Sequence, residues 1–337
     1  MKFTIATFNV ENLIGPEKPI YDQQRPRYSA DEYHKKINWI KNQLLTMNAD
    51  IVGFQEIFEE QALRDCIAGT IYKNWHLCFA RRQSGKPGNA LLSKFPIASS
   101  QSIEEIPFIF NFFDSKQTET ETSTLIPIPI KQFSRAVLKA VIQIREDIAI
   151  IVYVVHLKSK RPILANGVTR DSTNYSELAQ GEVRSLVRRA IESAGIRTLL
   201  SQDITHTPTH PIIFLGDLND ADTAVTNQII LGEPPFYKLP QKQKVERWKY
   251  TLQDSANIQA RKSLENFHFT YIHDGHHESL DNIFVSNHFS DLNRAAIGRV
   301  IDIRVYNDHL VDHTLGHQKK IWYITDHGQV VMNVQLF

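Results

Sequence analysis

The chain has 337 residues, of which 42% are hydrophobic and 22% are charged, and its formal net charge is +1. These values are those of an ordinary globular protein, and they exclude a disordered chain, a collagen, a coiled coil and a small disulfide scaffold. A protein that wraps duplex DNA non-specifically usually carries a larger basic excess, so any contact with nucleic acid has to come from a local patch.

The sequence carries few signals for disulfide formation, secretion or membrane insertion. Its two cysteines, Cys66 and Cys78, fall in a helix-like and a strand-like segment, where small buried side chains are expected rather than a disulfide or a metal site. The first residues lack the apolar stretch of a signal peptide, and no apolar run is long enough to span a bilayer. We therefore expect a cytoplasmic protein without a membrane span, although a removed leader would leave no trace. The oligomeric state stays open.

Predicted strands and helices alternate through the first third of the chain. Residues 3–9 are β-branched and aromatic, which predicts a strand. A capping box at Ser29 and Glu32 begins an amphipathic helix, whose apolar residues recur every three or four positions up to Met47. After these come predicted elements at 51–55 (a buried strand), 59–72 (a second helix), and 75–81, 89–93 and 97–103 (three strands).

The rest of the chain combines a hairpin, a long helix and two irregular segments. The hairpin is predicted at 136–145 and 148–155, and surface insertions are expected near 104–134 and 234–259. The long helix begins near residue 175 and is predicted to have one apolar face, made by Ala179, Val183, Leu186, Val187, Ala190 and Ile191. Later strands are predicted at 211–215, 280–286 and 330–337.

No internal repeat or long linker divides the sequence, so residues 1–337 are expected to form one domain. The hairpins that interrupt the alternation of strands and helices favour an α/β protein with mixed sheets over a purely parallel one.

Polar residues stand at the ends of the apolar runs, where buried strands do not normally tolerate them. In α/β proteins, ligand-binding and catalytic groups collect at strand ends, on loops that the sheet holds rigid. One such residue would mean little, but helix capping or ordinary buried hydrogen bonds do not account for the whole set. Its members are Asn9, Glu56, His156, Asp217, Asn219, Asp281, Asp326 and His327.

These residues lie in seven short motifs: TFNVENL at 7–13, FQE at 54–56, NALLS at 89–93, VHLKS at 155–159, LGDLN at 215–219, LDNIFVS at 280–286 and TDH at 325–327. In this order they resemble the endonuclease/exonuclease/phosphatase superfamily, which includes deoxyribonuclease I, exonuclease III-type abasic-site endonucleases, neutral sphingomyelinases and inositol polyphosphate 5-phosphatases. The resemblance implies a four-layer, deoxyribonuclease I-like fold, an α/β sandwich of two packed mixed β-sheets flanked by helices. It also implies a metal-dependent phosphodiester hydrolase, without identifying the substrate.

Three of these residues are predicted to serve a metal ion. The resemblance implies that Glu56 is the principal ligand and that Asn9 supports the carboxylate cluster. Glu56 and Asp326 are hard oxygen donors and no cysteine joins them, which suits Mg²⁺ or Mn²⁺ rather than zinc. A phosphodiester is anionic and resists attack, so a cation at this position would assist the reaction.

The other five residues are predicted to act on the water and the phosphate. By the resemblance, Asp217 orients or deprotonates the attacking water, and Asn219 donates to a phosphoryl oxygen. His327, oriented by Asp281, donates to a phosphoryl oxygen in the transition state, and His156 is a second phosphate donor.

Several weaker signals leave alternatives open. Arg135 matches the family's phosphate-contacting arginine less closely, and a surface ion pair is an equal alternative for it. A second Asp-His pair, Asp308 and His309, precedes no strand, so the TDH motif is preferred for the catalytic histidine. His309, His313 and His317 are spaced by four residues, but Gly316 interrupts them, and we expect partly exposed histidines rather than a zinc site.

The family motif commonly has serine before its Asp-His pair and proline two positions after it. Here those positions are Thr325, which keeps the hydroxyl, and Gln329. The Trp-Cys-Asp-Arg stretch of the inositol 5-phosphatases is absent from the corresponding segment at 279–282, so an inositol phosphatase is a less favoured interpretation.

DNA or another nucleic acid is the leading substrate class. The alternatives are a phosphatase or phosphodiesterase that acts on a lipid or small-molecule phosphoester, and, less favoured, a catalytically silent phosphate-binding protein. In the polar segment 234–259, Trp248 and Tyr250 could stack on bases, although burial in the core is the default for both side chains.

Overall fold

The computed structural model of the protein describes residues 1–20, 27–80, 86–113, 125–232, 238–262, 269–290, 293–312 and 320–337. Its helices are α1 (Ala30–Met47), α2 (Glu60–Ile67), α3 (Tyr175–His206), α4 (Val225–Leu231), α5 (Gln241–Trp248) and α6 (Ser255–Lys262). Its strands are β1 (Lys2–Leu13), β2 (Ile51–Ile57), β3 (His76–Ala80), β4 (Gly88–Ser93), β5 (Ile97–Glu105), β6 (Asn111–Phe113), β7 (Leu125–Pro127), β8 (Gln132–Arg145), β9 (Ile148–His156), β10 (Ile212–Asp217), β11 (Leu252–Asp254), β12 (Tyr271–His273), β13 (His276–Glu278), β14 (Asp281–Ser286), β15 (Gly298–Tyr306) and β16 (Gln329–Leu336).

Two six-stranded mixed sheets form the centre of the molecule. The first has the order β15-β16-β1-β2-β4-β3, and the second has the order β11-β14-β10-β9-β8-β5. Each sheet has one parallel pair at its centre, β1 with β2 and β9 with β10, and antiparallel neighbours around it. A parallel pair needs a crossover connection, which α1 provides in the first sheet and α3 in the second.

The two sheets pack face to face over one apolar layer that draws side chains from both of them, including Ile5 and Leu91 from the first and Leu138 and Leu215 from the second. They approach so closely at Gly53 that a Cβ there would lie 2.3 Å from the side chain of Leu215. Outer apolar layers join α1 and α2 to the first sheet and α3 and α4 to the second. This arrangement confirms the predicted sandwich of two mixed β-sheets flanked by helices.

Several local predictions agree closely with the structure. Ser29 and Glu32 form the reciprocal capping box at the start of α1, and the predicted hairpin is present as β8 and β9. The second helix is shorter than predicted, because it ends at Ile67 and Gly69 then takes a left-handed conformation with φ of 69°. No helix within the described residues is both long and apolar enough to cross a membrane.

The predicted apolar face of α3 is confirmed for Val187 and Ile191, which pack in the outer apolar layer of the second sheet, and is wrong for the residues before them. Val183 and Leu186 are 57% and 49% exposed, respectively, and Ala179 is also exposed. The first half of the helix instead packs on the polar loop after β9: Ser185 donates to the carbonyl of Arg161 at 2.6 Å, and a Cβ at Gly181 would lie 2.7 Å from Leu164. The polar backbone groups of a loop need small or hydrogen-bonding side chains opposite them. In this half of α3, hydrophobic periodicity therefore predicts the wrong face as the buried one.

The two expected insertions contain more regular structure than their sequences indicate. The segment 104–134 includes the short hairpin of β6 and β7, and residues 114–124 lie outside the described residues. The segment 234–259 contains α5, β11 and the first part of α6, and residues 233–237 lie outside the description. Core burial of the two aromatic residues is also wrong, since Tyr250 is 43% exposed and Trp248 is only half-buried.

Candidate active site

The predicted site residues converge because the sheet topology brings their strand ends to one edge. In the second sheet, Asp217 at the end of β10 pairs in register with both His156 at the end of β9 and Asp281 at the start of β14. In the first sheet, Asn9 of β1 pairs with Gln55 of β2, which places Glu56 beside it. The segment before β16 completes the edge, because the Thr325 hydroxyl donates to the carbonyl of Asn9 at 2.9 Å.

The backbone at this edge is strained. Glu11, Asn12, Glu56 and Asn219 all have positive φ, between 48° and 65°, a region that residues with a side chain rarely adopt. Such conformations cost free energy and persist only where the surrounding contacts impose them, and they are concentrated at functional sites. Gly216 serves the same edge, since any Cβ there would lie 2.0 Å from the carbonyl oxygen of Val155.

Three buried side chains form a row between the two sheets. Nδ1 of His327 lies 2.8 Å from Oδ2 of Asp281, and its other ring nitrogen, Nε2, lies 3.9 Å from Oδ2 of Asp217. One carboxylate or ring atom from each of the three comes within 4.8 Å of the others. Asp281 and His327 are 46 residues apart in sequence, and the structure brings them together as expected.

The surrounding charges favour a protonated His327. Burial by itself would lower the pKa of this imidazole, but the negative charges of Asp281 and Asp217 outweigh that cost and raise the pKa well above 6.5. With Nδ1 bonded to Asp281, the cationic ring directs its Nε2 proton toward Asp217 and the open edge of the sheets. His327 can therefore donate a proton to an anion that binds there.

Asp217 is held by donors on several sides. Its Oδ2 accepts from the Asn9 amide at 3.0 Å and lies 3.3 Å from Nε2 of His156, and its Oδ1 accepts from the backbone N–H of Asn219 at 2.8 Å. Burial raises the pKa of Asp217 to about 7, with the charge of His327 opposing the rise and that of Asp281 adding to it. A fixed carboxylate whose pKa lies near neutrality is suited to accept a proton from water.

His156 differs from His327 in charge. Burial, followed by the positive charges of Arg135 and His327, lowers the pKa of His156 well below 6.5 and keeps the ring neutral. Its Nε2 lies between Asp217 and Glu56, at 3.3 and 3.9 Å. Its buried Nδ1 has no hydrogen-bond partner among the described residues.

Asn219 and Arg135 share one acceptor. The carbonyl of Leu157 accepts from Nδ2 of Asn219 at 3.1 Å and from Nη1 of Arg135 at 2.9 Å. This bond places Arg135 at the rim of the site, close enough for its charge to act on His156. Arg135 forms no ion pair with a carboxylate among the described residues, so the alternative of a surface ion pair has no support.

The three predicted metal ligands are at this edge, but they are not equally available. Asn9 is bonded to Asp217, and Oε2 of Glu56 accepts from the backbone N–H of Asn12 at 2.9 Å. Oδ1 of Asp326 lies 4.0 Å from Nε2 of His327, while its Oδ2 accepts from the ammonium of Lys320 at 2.7 Å. Asp326 is thus already partly neutralised by a lysine.

Sequence reasoning missed Glu11 and Lys320. Lys320 also bonds Glu11, whose side chain is only 6% exposed, so one ammonium serves two carboxylates. Burial and the charge of Asp326 raise the pKa of Glu11 to about 7, although Lys320 opposes the rise. Glu11 could have been found, because it follows Asn9 by two positions on the same strand. Lys320 lies in a polar segment with no pattern that indicates its partners.

Lys36 is a second unexpected cation near this edge. It lies on α1, is fully buried, and has no hydrogen-bond partner for its ammonium among the described residues, although the ring of Tyr28 lies 5.4 Å away. Burial lowers its pKa, while the charges of Glu11 and Asp326 oppose that shift. Lys36 follows Tyr33 by three positions and precedes Ile40 by four, so it falls on the buried face of α1, and this spacing was the signal for its burial.

The competing candidates lie outside the row. His309 bonds the carbonyl of His327 at 3.0 Å and packs edge-on against Trp39, and His313 and His317 lie outside the described residues. Lys158 follows His156 by two positions, but its ammonium donates to the carbonyls of Ser159 and Arg161 and so stabilises its own loop.

Comparisons with known proteins agree with this fold. The endonuclease/exonuclease/phosphatase from Bacteroides vulgatus is similar with a TM-score of 0.57 and 12% identity over 100% of both chains. D. rerio TDP2 complexed with a single strand DNA product is similar with a TM-score of 0.54 and 15% identity, over 99% of both chains. The human Nocturnin catalytic domain with bound sulfate anion gives 0.53 and 14%, over 100% of this chain and 95% of that one. At these identities the likeness shows the fold.

No curated protein matches the sequence. The profile of the Endonuclease/Exonuclease/phosphatase family matches residues 6–327, a span that contains every residue of the site described above. The chain therefore belongs to the endonuclease/exonuclease/phosphatase family.

Proposed function

We propose that the protein is a divalent-metal-dependent phosphodiester hydrolase that cleaves nucleic acid. The observation that carries this proposal is the row of Asp281, His327 and Asp217, in which a protonated imidazole faces a carboxylate whose pKa is near neutrality. Such a pair provides a proton donor for the phosphoryl oxygens and an acceptor for the proton of the attacking water. These are the two groups that phosphodiester hydrolysis requires of side chains.

The neighbouring groups support the same reaction. Asp217 would accept a proton from a water molecule, and the Asn9 amide fixes its orientation. Asn219 keeps one amide N–H beyond its bond to Leu157, and Arg135 keeps several guanidinium N–H groups, so both can bind phosphoryl oxygens. We assign His156 to the same task through the single N–H of its neutral ring at Nε2, which lies beside Asp217 and Glu56.

The donor set fits a divalent cation. Members of this family generally use one, and the site gathers Asp217, Asp281 and Asp326 around the imidazole of His327, with Glu56 beside the neutral ring of His156. Oδ1 of Asp281 is buried without a hydrogen-bond partner among the described residues, a further sign of excess negative charge. Asp217, Asp281 and His327 form a compact group, but a protonated His327 would repel a cation. We therefore assign the ion to Glu56, Asn9 and Asp326.

A bound Mg²⁺ or Mn²⁺ would supply Lewis-acid stabilisation of the negative charge that develops on the phosphoryl group. The choice of these ions follows from the carboxylate and amide oxygens of the three assigned residues, with no thiolate nearby. Cys66 lies in the outer apolar layer of the first sheet, and Cys78 packs against the layer between the two sheets, so neither thiol joins the site.

Nucleic acid is the proposed substrate class. The D. rerio TDP2 structure holds a single strand DNA product, and the Nocturnin structure holds a sulfate anion, so two proteins of this fold bind a phosphate chain and a phosphate-like anion. The basic residues of α5 do not add support for this substrate class. After α5 the chain enters β11 at Leu252, which pairs with Ser286. Ser286 and Asp281 are the two ends of β14 and lie roughly 17 Å apart, so α5 leads to the end of the sheet away from the site.

The test is metal-dependent hydrolysis of bis-p-nitrophenyl phosphate and of labelled DNA and RNA oligonucleotides. We expect activity to disappear with EDTA and to return with Mg²⁺ or Mn²⁺, and Asp217→Asn to lower turnover by about 10²–10⁴-fold. The matched control is Asp147→Asn in the exposed turn between β8 and β9, which should retain wild-type turnover. Full activity in EDTA would overturn the metal assignment. Turnover of a lipid or small phosphoester, with no cleavage of DNA or RNA, would overturn the substrate class.

A further inference from the structure

A small cavity opens beside the catalytic row. It has a volume of about 180 Å³ and lies between the hairpin of β12 and β13 and the segment before β16. Its apolar lining comes from Tyr271, Ile272, Leu310 and Val311, and its polar lining from His273, Lys320 and Asp326. The ring of Tyr271 is 5.2 Å from the ring of His327, centroid to centroid, so the cavity and the reaction centre share one wall.

The size of the cavity limits what it can hold. A protein cavity of about 150 Å³ accommodates a benzene ring, so 180 Å³ has room for one six-membered ring and a substituent. A larger group, such as a fused bicyclic base with its sugar, would not fit inside.

The chemistry of the walls is that of a site for a planar ring. Tyr271 provides an aromatic surface on which a flat group can stack, and Leu310 and Val311 provide apolar contact. At the polar end of the cavity, the ammonium of Lys320 keeps one N–H beyond its bonds to Glu11 and Asp326. A ring that carries a carbonyl group would find a donor there.

The position of the cavity ties it to the phosphate. Asp326 lines the cavity, and its Oδ1 lies 4.0 Å from Nε2 of His327, the atom that would donate to a phosphoryl oxygen. One of the two ester groups of a phosphodiester would then be directed past Tyr271.

We propose that this cavity binds a planar six-membered ring carried by one ester group of the substrate. The proposal rests on the proposed phosphodiesterase function and adds a specificity element to it. A pyrimidine base of a nucleic acid and the ring of an aryl phosphoester share this chemistry, and the experiment separates the two sources.

The experiment measures binding, by calorimetry in the presence of Mg²⁺, of benzylphosphonate, thymidine 5′-monophosphate and ethylphosphonate. We expect the wild-type protein to bind at least one ring-bearing probe about tenfold more tightly than ethylphosphonate. Preference for thymidine monophosphate alone would assign the ring to a nucleobase, and preference for benzylphosphonate alone to an aryl ester. Equal affinity for all three probes would overturn the proposal.

Variants of the cavity sharpen the test. Leu310→Phe should fill the cavity and abolish the preference for ring-bearing probes, while the affinity for ethylphosphonate stays unchanged. Val311→Trp repeats the test at the mouth, where Val311 is 47% exposed and a larger side chain does not disturb the core. Leu45→Phe on the exposed side of α1 is the matched control and should keep the preference. A preference that survives both cavity variants would contradict the proposal.

Hydrolysis of bis-p-nitrophenyl phosphate by the same wild-type preparation separates this proposal from the proposed function. Ring selectivity without metal-dependent hydrolysis would overturn the function and leave the cavity assignment standing. Metal-dependent hydrolysis without ring selectivity would overturn the cavity assignment and leave the proposed function standing.

Discussion

The chain contains two Asp-His dipeptides, and the structure places them side by side in different surroundings. His327 lies between the carboxylates of Asp281 and Asp217, whereas His309 packs on the ring of Trp39 and bonds the carbonyl of His327. The carboxylates raise the pKa of His327 well above 6.5, but burial lowers the pKa of His309. The neighbours of an imidazole, and not the dipeptide itself, therefore decide whether it is a proton donor.

The largest effect is expected from His327→Ala. Removal of the proton donor should lower turnover by about 10²–10⁴-fold, the range for one positioned acid. The measurement is steady-state hydrolysis with saturating Mg²⁺, with circular dichroism to show that the fold is kept. If His309→Ala caused the larger loss, the assignment of the two histidines would have to be exchanged.

Asp281→Asn should have the next largest effect and should change the pH profile. The substitution removes the charge that does most to raise the pKa of His327, so the imidazole loses its proton at lower pH. If His327 acts in its protonated form, as we propose, activity is present below its pKa and is lost as the pH rises through it. We expect turnover about 10²-fold lower and an alkaline limb displaced toward lower pH. An unchanged alkaline limb would show that another group sets it.

Lys320→Met tests the ion pair that Lys320 forms with Asp326, for which Asp308 has no counterpart among the described residues. Lys320 neutralises both Asp326 and the buried Glu11, and removal of one partner from a largely buried ion pair typically costs about 3 kcal/mol of unfolding free energy. Urea denaturation with and without Mg²⁺ is the measurement. We expect Mg²⁺ to stabilise the variant more than the wild type, since the freed carboxylates attract a cation. Equal stability of the two proteins in both conditions would show that Lys320 contributes no net charge pairing.

The smallest effect is expected from His309→Ala. The variant loses a bond to the carbonyl of His327 and an edge contact with Trp39, which together are worth about 1 kcal/mol of stability. Turnover should stay within about tenfold of wild type, because the ring does not face the site. Thermal denaturation and steady-state kinetics together check this, and a large loss of activity at unchanged stability would contradict it.

The sequence predicted the parts of the site that strand ends dictate. Apolar runs that end in a polar residue located Asn9, His156 and Asp217, because strands that share an edge bring their ends together. The family resemblance, rather than the strand ends, implied the contact between Asp281 and His327, which the structure shows at 2.8 Å. The roles of these residues in metal binding and catalysis stay predictions.

Side chains that depend on tertiary charge pairing were not predictable in this way. Lys320 joins Glu11 across 309 residues, and nothing in its local pattern marks it. On α3, the apolar residues Val183 and Leu186 point outward because the helix covers a polar loop. In both places the contacts are set by elements far away in sequence, which periodicity does not report.

The pairing of β16 with β1 has a consequence for how the molecule folds. These strands lie near opposite ends of the chain, and their pairing brings His327 to Asn9 and Asp217. A contact of such long sequence separation carries a large loop-closure entropy and forms late and slowly. A nascent chain that has not yet released β16 therefore lacks His327 in this row, and the row is assembled only after β16 has paired with β1.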